Sequence, residues 1–146
     1  MKKIDFNTKW PEITMEGIHS FEKKYSQYNL KLSESYKYFL TTMSNGGRPV
    51  QGIFWDEEKE LELGVAFFFP IYEGKSSIEQ KLKFIYEDDI FPLGLLPFAS
   101  DGGSGNYLIS MRNEDFGQIS IMYSDSEVPF ILCSSFEEFI NKLEEE

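Results

Sequence analysis

Apolar residues recur along the chain with two periods, and the switches between them mark helices and strands. Ile18, Phe21 and Tyr25 fall at i, i+3 and i+7, one stripe of a helix. Thr14 stands where the N-cap belongs, so the pattern predicts a helix from there to about Tyr28. Leu30 and Leu32 lead into Ser33, a good N-cap followed by Glu34 in the first turn, where the helix dipole favours a carboxylate. Tyr36, Phe39, Leu40 and Met43 then repeat at i, i+3, i+4 and i+7, a core-facing pattern. Asn45-Gly46-Gly47 ends this second helix because these residues tolerate positive φ, and Arg48-Pro49 completes the turn.

Gly52 to Trp55 reads as a strand, joined by the acidic connection Asp56-Glu57-Glu58-Lys59-Glu60 to a second strand, Leu61 to Phe69. Ser76 or Ser77 caps a third helix with Ile78, Leu82 and Ile85 on one face. Two prolines exclude a regular helix from Phe91 to Ala99. Ser100 to Asn106 is a tight Gly-rich loop. Tyr107 to Met111 and Gln118 to Tyr123 form a hairpin, and Phe130 to Cys133 adds a last short strand. Ser135 with Glu138 three residues later is a capping box. Phe136, Phe139, Ile140 and Leu143 make the closing helix amphipathic, and it frays into Glu144-Glu145-Glu146. Helices at both ends with hairpins between them predict an α+β domain, an antiparallel sheet with helices on one side.

The chain of 146 residues has the size of one domain, spanning 1–146, with no repeats or linker-like tracts. Fourteen Phe, eight Tyr and two Trp exclude a disordered chain. No apolar run approaches the ~20 residues that span a bilayer, and Met1 to Phe6 lacks the apolar stretch of a signal peptide. One cysteine, Cys133, excludes an intrachain disulfide and a multi-cysteine metal site. These features predict a cytoplasmic protein. Lys outnumbers Arg twelve to two, a composition that suits an AT-rich bacterial genome.

Charge narrows the function classes further. Acidic residues outnumber basic ones 25 to 14, for a net charge of −11, and phosphate backbones repel such a surface. The balance is uneven, +2 over residues 1–37 and −13 over residues 38–146, so the larger part steers cationic partners toward itself. The competing reading is a set of solvated faces that keep the protein soluble.

Catalytic constellations are scarce. His19 is the sole histidine, without a second imidazole for a typical zinc site, and reads as a partly exposed helical residue. Cys133 lies in the apolar run Phe130-Ile131-Leu132 with no basic neighbour to lower its pKa. It reads as a small buried hydrophobe. The amides of Asp101-Gly102-Gly103-Ser104-Gly105-Asn106 can cradle an anion in principle. The loop lacks the Lys and Ser/Thr of a P-loop and the alternating ligands of an EF-hand, so a structural turn organised by Asp101 is the simpler account. Neither a cofactor nor a metal is implied.

Five segments in order resemble the SUKH superfamily, the Smi/Knr-type domain. They are Ile18-x-x-Phe21-Glu22; Leu32 to Leu40, similar to Leu-Pro-x-x-Tyr-x-x-Phe-Leu with Ser33 in place of proline; Asn45-Gly46-Gly47; Leu96 to Asn106, similar to Pro-Phe-Ala-x-Asp-x-x-Gly-[Asp/Asn] with Ser104 as an extra residue; and Ser135-Phe136-Glu137-Glu138-Phe139-Ile140. The resemblance implies an α+β fold with an antiparallel, strongly bent sheet and helices packed on one side. It implies no enzymatic activity. Tyr36, Phe39 and Leu40 would serve packing, and Asn45, Gly46, Gly47, Asp101, Gly103 and Asn106 would serve turns.

Bacterial members resemble immunity proteins that bind and neutralise a cognate toxin domain, often a nuclease; fungal relatives act in cell-wall synthesis signalling. The expected partner is therefore a basic toxin domain of nuclease type, met through an acidic edge formed by Asp56, Glu57, Glu58, Glu60, Asp88 and Asp89. No direct nucleic acid or membrane contact is expected, and the chain is expected to be a monomer or weak homodimer. The alternative is a regulatory protein-binding scaffold.

Overall fold

The computed structural model describes all of residues 1–146. Four helices, α1 Met15–Lys24, α2 Glu34–Thr42, α3 Ile78–Tyr86 and α4 Phe136–Asn141, are set among ten short strands. These are β1 Phe6–Lys9, β2 Gly47–Pro49, β3 Ile53–Asp56, β4 Leu61–Gly64, β5 Phe67–Phe68, β6 Leu95–Ser100, β7 Asn106–Ser110, β8 Ile119–Met122, β9 Phe130–Cys133 and β10 Leu143–Glu144. Seven strands form one sheet in the order β1-β2-β5-β6-β7-β8-β9, and three form a second in the order β10-β3-β4. Every pairing is antiparallel. The fold class is α+β, as the sequence pattern predicts.

Each helix starts at a hydroxyl that accepts an otherwise unpaired backbone N–H. Thr14 accepts from Gly17, Ser33 from Tyr36, Ser77 from Gln80 and Ser135 from Glu138. The capping box at Ser135 is shifted by one residue on its return arm: the Glu138 carboxylate accepts from the backbone N–H and the hydroxyl of Ser134. The first helix is shorter than its apolar stripe. It stops at Lys24, and Ser26–Tyr28 tightens into a 3₁₀ turn closed by Asn29 at φ 55°.

The buried residues of all four helices join one apolar cluster with Phe54, Phe68, Leu96, Phe98, Tyr107, Ile109, Ile119, Ile121 and Leu132 of the sheets. Its centre is aromatic. Phe98 makes edge contacts with Phe136 and Phe139 at 5.5 and 5.4 Å between ring centroids, and Phe39 meets Phe68 at 5.1 Å. Alternation along the strands sends Leu95, Leu108, Ser110 and Ser120 to the opposite side of the large sheet, outside that cluster. The helices therefore share one face.

Three further segments differ from the sequence expectation. The predicted strand Leu61 to Phe69 is two strands in two sheets: β4 pairs with β3, whereas β5 bridges β2 and β6. Arg48-Pro49 is not a bare turn, because β2 pairs with β1, a strand whose mostly exposed residues carry no apolar alternation. Where two prolines exclude a helix, none forms, and Pro97 lies within β6 at the irregularity in its pairing with β7. Leu143 does not extend the closing helix. It turns into β10 and pairs with Phe54, burying its side chain while the acidic tail leaves the helix.

Candidate protein-binding surface

The sequence motifs divide sharply into those that build the fold and those left facing solvent. Asn45 is buried and its side chain imitates a strand. Its Oδ1 accepts from the Ile71 N–H at 2.9 Å, while Nδ2 donates to the carbonyls of Ile71 and Pro11, both at 3.1 Å. Gly46 and Gly47 have φ of 85° and 117°. A Cβ on Gly46 would lie 2.7 Å from the Pro70 nitrogen, and one on Gly47 would lie 2.0 Å from the Thr8 carbonyl oxygen. Only glycine fits this crossing of β1, β2 and β5.

The Gly-rich loop is likewise a turn. Oδ1 of Asp101 accepts from the N–H groups of Gly103 at 2.8 Å and Gly105 at 3.0 Å, and the Asp101 N–H donates to the Gly105 carbonyl. The carboxylate thus already occupies the amides that an anion would need. Asn106 follows as the first residue of β7, paired with Ser100 and Met122. No group of three or more His, Cys, Asp or Glu side chains is placed to hold a metal ion.

Tyr36, Phe39 and Leu40 are buried on α2, and His19 is exposed on α1. Cys133 is buried in β9. Burial, reinforced by the charge of Glu138, pushes its thiol up to about 12.

Of the six carboxylates expected to form an acidic edge, the structure brings three together. Glu57, Glu58 and Glu60 are exposed on the turn between β3 and β4. Asp56 belongs to the scaffold beneath them and corrects the expectation. It is 3% exposed, accepts from the Lys59 N–H at 3.3 Å and pairs with Lys142 of the α4 terminus at 3.2 Å. Burial alone would raise its carboxyl, but these partners outweigh that and hold it below the usual Asp value. Asp56 is thus the post of the turn rather than a group offered to a partner.

Asp88 and Asp89 are exposed but stand elsewhere, after α3, which packs on β6. Their segment is tied down by the bonds of Asp88 N–H to the Lys83 carbonyl and Ile90 N–H to the Phe84 carbonyl. They share no hydrogen bond or ion pair with the β3–β4 turn.

That turn is instead fastened to the edge of the large sheet. Lys59 reaches across and donates from Nζ to the carbonyl of Leu132 in β9 at 3.0 Å. The bond spends the turn's single cation on the scaffold and leaves three carboxylates outward. The neighbouring edge strand is apolar and open: Phe130 and Ile131 are each 54% exposed, and Val128 just before them is 73% exposed. The sequence reading missed these residues. A continuous run such as Phe130 to Cys133 carries the signature of a buried strand, and the structure covers only its second half, Leu132 and Cys133.

The structure is thus a helix-backed α+β scaffold that offers an acidic turn beside an apolar stretch of sheet edge, with its motif residues spent on turns and packing. Residues 12–142 match the SMI1 / KNR4 family (SUKH-1), and the chain belongs to that family. No curated protein and no solved structure matches it significantly. The match leaves out β1 and β10, the strands that close one edge of each sheet. No helix is long and apolar enough to cross a membrane.

Proposed function

We propose that this chain is a non-enzymatic immunity protein that binds a cognate toxin domain with a basic, nucleic-acid-handling surface and blocks it. The observation that carries this reading is the exposed triad Glu57, Glu58 and Glu60 on a turn whose own lysine is tied to β9. Membership of the family supports it, as does a net charge of −11. Carboxylates on a turn anchored through Asp56 and Lys59 would stand where a nuclease expects phosphates, and their field accelerates encounter with a cationic surface. Glu60 keeps its carboxylate at φ 50°, a left-handed conformation that costs a residue other than glycine roughly 1–2 kcal/mol.

The test is calorimetric titration, at low and moderate salt, against the carboxy-terminal domain of a large secreted protein encoded immediately upstream. Nanomolar binding that weakens with salt is expected. Its absence, with the chain folded, would move the reading to a regulatory scaffold. Reversal of Glu57 and Glu58 to Lys is expected to slow association about tenfold at low salt, with the difference shrinking as salt is added. An unchanged rate would remove the turn from the interface.

A further inference from the structure

The open edge at β9 continues into a groove of about 370 Å³ on the face of the large sheet away from the helices. Its apolar wall is made by Pro92, Leu95, Val128, Pro129 and Ile131, and Gln118 and Ser120 form its polar floor. Two features show that the groove is built rather than a gap between loops. Ser126 clamps the segment before β9: its hydroxyl donates to the Val128 carbonyl at 3.0 Å and accepts the Val128 N–H at 3.4 Å. Pro129 further restricts the backbone of Val128 before it, whose side chain stays 73% exposed. On the far side, Arg112 is locked to Asp115 through Nη2 at 2.5 Å and Nε at 3.2 Å, and its side chain closes over Gly94.

Charge selects the occupant. Between Lys83 and Lys142 the chain carries ten carboxylates and a single cation, Arg112. That cation is committed to Asp115, with Glu114 at 3.7 Å. Glu127 lines the groove, Asp125 precedes it in the same loop, and the Glu57–Glu60 turn is fastened to β9 through Lys59. An apolar strip with acidic residues around it repels a second copy of itself and attracts a cationic surface.

Resting on the immunity reading above, we propose that the β9 edge and its groove are the centre of the toxin interface. The seat takes an aliphatic or aromatic side chain of the toxin between Leu95, Val128 and Ile131, with a toxin Lys or Arg facing Glu127. Apolar anchors at the centre then govern how long the complex lasts, and the acidic rim governs how fast it forms.

The experiment measures association and dissociation rates of the full chain with the same upstream toxin domain, catalytically inactivated, at two salt concentrations. The variants are Phe130→Ala, Ile131→Ala and Val128→Ser, all at exposed positions, with Glu127→Lys as the rim control; far-UV circular dichroism and thermal unfolding confirm that each is folded. The proposal expects Ile131→Ala and Val128→Ser to speed dissociation at least tenfold with association within twofold of the parent. It expects Glu127→Lys to slow association severalfold at low salt.

Parent-like rates for Ile131→Ala and Val128→Ser, alongside tight binding by the parent, would overturn the seat and leave the immunity reading standing. Failure of the parent to bind would remove both. If light scattering shows a dimer that Phe130→Ala or Ile131→Ala dissolves, the face is covered by a second copy and the assignment to a cationic partner is wrong.

Discussion

Replacing Asn45 by Ala tests the claim that the most recognisable motif of this chain is structural. The Asn45 side chain is the sole partner of both backbone groups of Ile71, a buried residue outside the helices and strands. Removing it strands one N–H and one C=O, each costing about 1–3 kcal/mol when left buried without a partner. The Pro11 carbonyl, the third partner, is only part-buried and recovers water. The expected loss is therefore about 3–5 kcal/mol, a large share of the roughly 5–15 kcal/mol that holds a domain folded.

Urea unfolding followed by circular dichroism and tryptophan fluorescence should show a lower midpoint with an unchanged slope, and Tm should fall by about 10–15 °C. Asn45→Asp separates hydrogen bonding from volume. It keeps an acceptor for Ile71 N–H but sets a carboxylate against two carbonyl oxygens, so it should be at least as damaging as alanine. A loss below about 1 kcal/mol for Asn45→Ala, or a harmless Asn45→Asp, would refute the assignment.

Tyr36 is 1% exposed and its hydroxyl has no hydrogen-bond partner, so Tyr36→Phe should be neutral or stabilising by up to about 1–2 kcal/mol; a destabilised variant would show that the hydroxyl is satisfied, and denaturant melts decide it. Cys133, with its thiol raised to about 12 by burial, should resist a disulfide exchange reagent at pH 8 in the folded chain and react at once in denaturant; fast labelling of the native protein would contradict its placement. Arg112 holds the Asp115 carboxyl below the usual Asp value, and the Ser134 N–H does the same for Glu138. The stability these groups contribute is therefore present at neutral pH and lost as pH falls below about 4. Asp115→Asn should flatten that acid limb in pH-dependent melts, and an unaltered limb would show that the ion pair contributes nothing.

What can be read from the chain alone is what its neighbours in sequence decide. The caps at Thr14, Ser33, Ser77 and Ser135 depend on amides two or three residues away, and helical stripes depend on spacing within a few turns. The Asn45-Gly46-Gly47 break was legible for the same reason, although its three long-range hydrogen bonds were not. The tertiary structure decided everything that rests on a partner distant in the chain. Leu61–Gly64 and Phe67–Phe68 look like one strand until Gly64 meets β3 and Phe68 meets β2 and β6. Leu143 fits the helical stripe of α4 but gains more from pairing with Phe54. Asp56 and Glu57 are adjacent acids, yet one is buried because Lys142 arrives from 86 residues away to neutralise it. Phe130 and Ile131 have the composition of a core strand and stay open because nothing packs over the first half of β9, whereas Leu132 and Cys133 of the same strand are covered. Burial is a property of what packs against a residue, and local pattern specifies only which face it offers.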